Sequence, residues 1–309
     1  MQKYDLIPRS KCPICNYKVS KRLFEVLPEY FLSNNTTIDI KKLETSGLLS
    51  LDNIWLLQCK NCALVYNEKV LSAQWQEKFW KEVFIPSKSR EKIYNPKKRI
   101  EFYRRSFEFT HYSLSKKGHV QLNVIDYGAG WGDFLSVISS DGINAIGIEI
   151  DSDKIAYSKK NGINVVESIE LISNTKFNIF HSDQVFEHLE NPQAHIDLIK
   201  PYLDDDFIGY ISVPNYNQDR INELIKKADD KTIIDKDLIV WDHLNFFSPE
   251  TLHYFLDKNG FEVVNIKNGE AIETPENTSV YFRNKRTPTI GAPKARFFNR
   301  MIQYLKAPK

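Results

Sequence analysis

Nowhere in the 309 residues is there a run of about 18 consecutive apolar residues, so no stretch reads as a membrane-spanning helix. The first eight residues, Met1 to Pro8, lack the apolar stretch of a secretion signal, and the chain is expected in the cytoplasm. An excess of one charge is missing too. With 42 Lys and Arg against 40 Asp and Glu, the net charge of +2 does not point to nucleic acid. Internal repeats and low-complexity segments are absent. The one lopsided stretch, Asn277 to Lys309, carries eight Lys or Arg and no Asp or Glu. Its last part places Phe297, Phe298, Met301, Ile302 and Leu305 at helical spacing, which reads either as a packed terminal helix or as a basic amphipathic helix on an anionic membrane surface.

A hydrophobic content of 42% and an aromatic content of 13% suffice for a buried core. The length favours two units over one. The four cysteines fall into two pairs, Cys12-Pro-Ile-Cys15 and Cys59-Lys-Asn-Cys62, and none is left over. In a reducing compartment disulfides are rare, and two such pairs read as tetrahedral zinc ligation by Cys12, Cys15, Cys59 and Cys62. A redox dithiol is the competing reading, although it needs one pair and not two. Ile54 to Gln58 reads as the strand that delivers the second pair, and Ala63 to Tyr66 as the strand that leaves it. Between the knuckles, Pro28 to Leu51 forms either a cover over a substrate or a surface loop.

The segment Val124-Ile-Asp-Tyr-Gly-Ala-Gly-Trp-Gly-Asp-Phe-Leu135 organises the rest of the chain. β-favouring residues lead into a Gly-x-Gly-x-Gly turn, and Phe134, Leu135 and Ile138 resume at helical spacing, giving strand, tight loop and helix. Such glycines let backbone approach a ligand closely and leave helix-start amides aimed at it. A dinucleotide fingerprint has glycine at the sixth position, where this chain has Asp133. Asp126 at the strand end suits a cationic ligand.

A second strand, Asn144 to Glu149, ends in a carboxylate at the interval where α/β folds hold ribose hydroxyls. A helix is expected over Asp151 to Asn161, and strands over Asn164 to Val166, Phe177 to His181 and Gly209 to Val213. Ser248 with Pro249 starts a helix through Lys258, ended by Asn259-Gly260. Phe261 to Lys267 and Thr278 to Phe282 read as an antiparallel pair. Upstream, Asn95-Pro96 starts a helix with Ile100, Tyr103, Phe107 and Leu114 on one face and Lys97, Lys98, Arg99, Arg104 and Arg105 on the other. That second face is either a solvated surface or a contact for an anionic substrate.

Three segments in order, Val124 to Leu135, Gly147-Ile-Glu149-Ile-Asp151, and Phe177 to Pro192 with its Glu187-His188 pair, resemble motifs of the class I S-adenosylmethionine-dependent methyltransferases. The resemblance implies an α/β, Rossmann-like sheet of seven strands. It implies further that Gly128, Ala129 and Gly130 pass the methionine part of S-adenosylmethionine, that Asp126 lies near its amino group, and that Glu149, with Ile150 beside it, holds the ribose. By strand position, Glu167 to Ile169 are expected near the adenine, and Ser182, Asp183 and Gln184 at the reactive end. Tyr94 and Tyr103 are expected to line the same pocket.

Methyl transfer to a hydroxyl needs alignment and removal of a proton, for which histidine is suited near neutral pH. Glu187 and His188 follow the fourth strand, where the pair could instead cap the next helix. His243 stands in Trp241-Asp-His-Leu-Asn-Phe-Phe-Ser248, which resembles the His-Glu-His-x-x-Tyr-Phe-Ser run of bacterial deoxysugar C-methyltransferases, enzymes that also begin with a four-cysteine zinc module. That resemblance implies His243 as base, with His188 and Glu187 in support. Trp241 replaces the first histidine of the run, and the chain stops where those enzymes carry a further domain, so O-methylation of a sugar hydroxyl is expected at least as much as C-methylation. Some RNA- and quinone-modifying relatives hold a divalent ion with Glu-x-x-Glu-His and a later histidine; here the first position is Gln184.

The expected organisation is a zinc module over 1–70, a helical cap over 71–119, a methyltransferase domain over 120–284 and a basic tail over 285–309. The expected partners are S-adenosylmethionine, a structural zinc ion and a small-molecule or saccharide acceptor, anionic in character. The alternatives are O-methylation of RNA or of another small molecule, or a non-catalytic scaffold that binds nucleic acid through the cysteine module and the basic tail.

Overall fold

The computed structural model describes residues 6–26, 39–46, 53–83, 96–115, 121–139, 143–172, 175–229, 242–268 and 277–285. Tyr94, Trp241, most of Pro28 to Leu51 and the tail from Arg286 onward lie outside the described residues.

In chain order the strands are β1 (Leu6–Pro8), β2 (Ser20–Val26), β3 (Ile54–Cys59), β4 (Val65–Asn67), β5 (Lys69–Leu71), β6 (Leu122–Tyr127), β7 (Ile143–Ile148), β8 (Val165–Val166), β9 (Phe177–Asp183), β10 (Leu203–Pro214), β11 (Asn245–Phe246), β12 (Phe261–Asn268) and β13 (Asn277–Asn284). The helices are α1 (Ile40–Ser46), α2 (Ala73–Lys78), α3 (Pro96–Ser115), α4 (Asp133–Ile138), α5 (Ser152–Lys160), α6 (Pro192–Ile199), α7 (Gln218–Asp229) and α8 (Pro249–Lys258). A π-helical turn, Phe79–Val83, continues α2.

Seven strands form one sheet in the order β12-β13-β10-β9-β6-β7-β8. β6, β7, β8, β9 and β10 run parallel, and β13 is antiparallel to both of its neighbours. This is the Rossmann-like α/β architecture expected from the sequence. The chain direction across the sheet reverses between β6 and β9, and at such a switch point a crevice opens beyond the strand ends.

Both faces of the sheet are covered, so its strands are apolar on both sides. Val124, Ile179, Ile208, Tyr210 and Tyr281 pack under α3 and α4 with Tyr103, Leu114, Phe134 and Leu135. On the opposite face, Ile125, Tyr127, Phe180 and Ile211 pack with Phe186, Phe255 and Phe282. That second core is continuous with the N-terminal segment, since Cys12, Ile14, Cys59, Cys62 and Leu64 belong to it.

The N-terminal segment builds a four-stranded sheet in the order β11-β4-β3-β2. Its edge strand, β11, comes from residues 245–246, with Asn245 opposite Tyr66 and Phe246 opposite Val65.

Local signals place the ends of elements. Asp151 caps α5 by accepting from Asp153 and Lys154 amides, and Ser248 and Thr251 form a reciprocal capping box on α8. The helix after β9 is capped by Asn191 and not by Glu187 or His188. The apolar face read into α3 is narrower than expected. Tyr103 and Leu114 are buried, but Ile100 is 42% exposed. The cations of that helix are partly engaged, with Arg104 and Arg105 on Glu101 and Arg99 facing Asp133 at 3.7 Å.

Candidate functional site

Two groups of residues meet beyond the ends of β6, β7 and β9. The first surrounds the glycine turn. Gly128, Gly130 and Gly132 have φ of 78°, 55° and 76°, the left-handed region that favours glycine. At Gly128 a Cβ would lie 2.3 Å from Val185 Cγ2, so the turn and the segment after β9 touch here. At Gly130 a Cβ would meet nothing within 4 Å.

The loop amides differ from expectation. Gly128 and Ala129 N–H both donate to the Ile148 carbonyl at 2.9 Å, and Gly132 N–H donates to Ala129. Gly130 N–H donates to Glu149 Oε2 at 2.8 Å. These donors are satisfied inside the protein and do not form an anion cradle. Glu149 Oε1 accepts from the Ile150 and Asp151 amides at 2.8 and 2.9 Å, which fixes the carboxylate at the mouth of the turn. Ile150 is 85% exposed beside it, an apolar surface at the crevice. Ile169, expected near an adenine, is instead buried in the core.

Asp126 is buried and accepts from His181 Nδ1 at 2.7 Å. Ser182 is fully buried and donates through Oγ to the Tyr127 carbonyl at 3.0 Å, so its hydroxyl is committed inside the sheet. Asp183 Oδ2 accepts from Tyr103 Oη at 3.3 Å, tying α3 to the end of β9. Gln184 is left-handed with φ 57°, and its amide donates to Ser212 Oγ at 3.2 Å.

The second group lies just beyond β9. One ligand atom from each of Glu187, His188 and His243 lies within 4.8 Å of the others. Asp242 supports them. Its backbone carbonyl accepts from His188 Nδ1 at 2.8 Å, with its Oδ1 2.7 Å from the same nitrogen. That bond aims His188 Nε2 away from Asp242 and leaves it 3.6 Å from Glu187 Oε1. His243 Nε2 is 3.9 Å from Asp242 Oδ2, and the two imidazoles are 4.9 Å apart, edge to face. Trp80, from the π-helical turn, meets His188 edge to face at 5.7 Å.

Glu187 is 1% exposed, yet neither carboxylate oxygen accepts a hydrogen bond from a described residue. Burial raises its carboxyl from the usual range to about 7, against the pull of His188. Burial alone would lower His188, but Asp242 and Glu187 outweigh it and raise the imidazole to about 9. Asp242 moves the other way: burial opposes its charge, and His188 holds it below the usual range.

The two histidines are 55 positions apart, and backbone stitching brings them together. Leu244 and Asn245 amides donate to the Glu187 carbonyl at 2.7 and 3.0 Å. The fully buried Asn245 side chain donates to the Phe186 and Leu189 carbonyls at 3.1 and 2.7 Å. From the N-terminal segment, Arg9 donates to the Leu244 carbonyl at 2.9 Å, to Asn245 Oδ1 at 3.0 Å and to the Glu190 carbonyl. Asn67 Nδ2 donates to the His243 carbonyl at 3.3 Å. Sequence reading missed Arg9, Asn67, Asp242, His181 and Asn245. No local pattern announces these contacts, although Asp242 does adjoin an expected site residue.

The four cysteines converge as their spacing predicts. Cys12 Sγ is 3.5 Å from Cys62 Sγ, and Cys15 Sγ is 3.5 Å from Cys59 Sγ. These are too long for disulfides, and all four sulfurs lie within 4.8 Å of one another. Each pair closes the same turn. Asn16 and Ala63, with φ of 60° and 64°, follow the second cysteine and donate to the carbonyl of the first. The hydrogen bond with Cys62 lowers the Cys12 thiol to about 6 in spite of burial. Four inward sulfurs at this spacing match a tetrahedral thiolate site.

The chain matches the methyltransferase-domain family over residues 96–266. It is 26% identical over 161 residues to the ubiquinone biosynthesis O-methyltransferase of Rickettsia canadensis, and the match covers 48% of this chain and 65% of that relative. Among solved structures, it overlaps a S-adenosylmethionine-dependent methyltransferase from Archaeoglobus fulgidus at 19% identity and a TM-score of 0.46, over 63% of this chain and 97% of that one. It also overlaps the magnesium protoporphyrin IX methyltransferase of Synechocystis at 12% identity and a TM-score of 0.45, over 59% and 83%. At these scores the overlaps are loose.

Proposed function

We propose that this chain, which belongs to the methyltransferase-domain family by a match over more than half its length, catalyses methyl transfer from S-adenosylmethionine to a hydroxyl of a sugar, either nucleotide-linked or part of a saccharide. The observation that carries the reading is the convergence of Glu187, His188 and His243 beside the end of β9.

The crevice suits the cofactor. S-adenosylmethionine, when bound, supplies an activated methyl group on a sulfonium. Its ribose hydroxyls match Glu149, whose carboxylate is already fixed by three backbone amides. The open space at Gly130 admits the ligand against backbone. Ile150 offers an apolar surface for the base, and the ammonium group matches Asp126.

His243 is the proposed base. His188 and Glu187 complete a polar pocket that orients the acceptor hydroxyl and receives its proton. Oxygen is the acceptor atom favoured here, because such a pocket handles a hydroxyl proton directly and the Rickettsia relative is named an O-methyltransferase. The sugar rests on the resemblance of the His243 segment. The N-terminal module over 1–70, holding zinc through its four cysteines, and the cap over 71–119 act as scaffold: β4 and Arg9 hold the His243 segment, and Trp80 walls the pocket.

A second reading is favoured by the buried Glu187 carboxylate, which accepts no hydrogen bond from a described residue. With His188 and His243 it makes a donor set for a divalent cation, which would lower the pKa of an acceptor hydroxyl. His188 fits that role, since its Nδ1 bond to Asp242 leaves Nε2 as the donor atom.

The test begins with calorimetric titration of S-adenosylhomocysteine, where micromolar binding is expected and Glu149→Ala should lose it. Nucleotide-linked sugars are then offered with labelled methyl donor. His243→Ala should keep cofactor affinity and lose turnover, and turnover at the wild-type rate would refute its role. Manganese binding that disappears in Glu187→Gln would favour the second reading.

A further inference from the structure

The imidazole of His181 lies inside the sheet, in no contact with the acceptor pocket described above. It is 2% exposed and sandwiched between aromatic rings, with Phe134 parallel at 3.7 Å on one side and Tyr210 parallel at 5.1 Å on the other. Its Nε2 has no hydrogen-bond partner among the described residues. Within the described residues its hydrogen bond runs from Nδ1 to Asp126 Oδ1 at 2.7 Å. Asp126 and His181 are direct partners in the β6–β9 register, so this bond crosses the switch point of the sheet.

A carboxylate as buried as that of Asp126, 3% exposed, needs a donor to keep one orientation. Among the described residues His181 is the only donor to Asp126. Oδ2 receives no hydrogen bond from a described residue, and the side chain keeps 5% of its surface exposed, immediately before the Gly128 turn.

We propose that His181 is a positioning residue for the cofactor, holding Oδ1 of Asp126 so that Oδ2 is presented to the α-ammonium group of the cofactor's amino-acid part. This rests on the cofactor reading given under Proposed function and assigns a residue to it. Aromatic packing on both faces sets the plane of the imidazole, and the plane sets the direction of Nδ1–H. The carboxylate therefore cannot turn away when the site is empty, and the cofactor meets a pre-oriented acceptor.

The experiment compares two ligands that share the nucleoside and sulfur. S-adenosylhomocysteine carries the ammonium group; 5′-methylthioadenosine lacks the amino-acid part altogether. His181→Phe keeps the aromatic stack and removes the donor, and His181→Asn restores a donor near the Nδ1 position. His181→Phe should bind S-adenosylhomocysteine about tenfold more weakly, the scale of one charged hydrogen bond, with methylthioadenosine affinity unchanged. His181→Asn should recover most of the loss. Unchanged affinity of His181→Phe for S-adenosylhomocysteine would overturn the proposal, and so would equal losses for both ligands, which mark a purely structural role. Should the wild-type protein bind neither ligand, the cofactor reading fails, and the proposal falls with it.

Discussion

Replacing Arg9 by Met tests whether the N-terminal segment holds the histidine pocket in place. The half-buried guanidinium makes three hydrogen bonds, to the carbonyls of Leu244 and Glu190 and to Asn245 Oδ1, and lies over the Tyr66 ring at 5.7 Å. Methionine fills similar volume and donates nothing. Hydrogen bonds from a charged donor contribute about 1.5–3 kcal/mol each, but removing the ion also removes its desolvation cost, which already lowers the Arg9 pKa to about 10. The net loss expected is about 3 kcal/mol, the sum of one or two such bonds once that cost is offset. For a chain of 309 residues unfolding as one unit, that corresponds to a fall in melting temperature of about 5 °C. Hydrogen exchange read by mass spectrometry should show lost protection at the Leu244 and Asn245 amides, while S-adenosylhomocysteine affinity stays near wild type because no Arg9 contact reaches the glycine turn. Arg9→Lys should recover only part, since one ammonium cannot span three acceptors. A melting temperature and exchange pattern indistinguishable from wild type in Arg9→Met would refute the reasoning.

Cys59→Ser should release bound zinc, measured by elemental analysis, and unfold the N-terminal sheet; full metal content and stability would remove the four-cysteine site. Gly128→Ala should destabilise by more than about 2 kcal/mol, combining left-handed strain with the contact at Val185. Adding Val185→Ala should relieve the contact but not the strain, so a partial recovery in melting temperature is expected. The metal-free protein should lose stability as pH rises from 5 to 9. Glu187, raised to about 7, and His188, raised to about 9, both bind protons more tightly in the folded state than in the unfolded one. The His188 contribution is fully present below about 6.5 and lost as pH rises through about 9, amounting to about 3 kcal/mol at most. Denaturant melts at stepped pH check this, and His188→Asn should flatten the upper part of the curve.

What the sequence made legible was local. The glycine turn, the helix start at Ser248, the strand-end carboxylate of Glu149 and each cysteine pair are written within a few residues, and their geometry follows from backbone and side-chain preferences over that span. Ile100 was misread because helical spacing gives a face but not the breadth of the neighbour that covers it. The glycine-turn amides were expected to face a ligand, and the carbonyl of Ile148, a strand away, takes two of them. Arg9, Asn67, His181 and Asn245 were invisible for one reason. Each acts through a partner between 55 and 236 positions away, and nothing in the neighbouring sequence marks such a bond.

The two-residue strand β11 has a kinetic consequence. Its partner β4 lies roughly 180 positions earlier, Asn245 opposite Tyr66, and the five-strand parallel array must be wound between them. Contacts of such separation form late, because the loop they close costs entropy that only a nearly complete structure offsets. The edge of β4 that β11 covers can be paired only after residues 245–246 exist. The cluster of Glu187, His188 and His243 depends on the same docking, because Leu244 and Asn245 bind the Glu187 carbonyl from the segment that β4 holds.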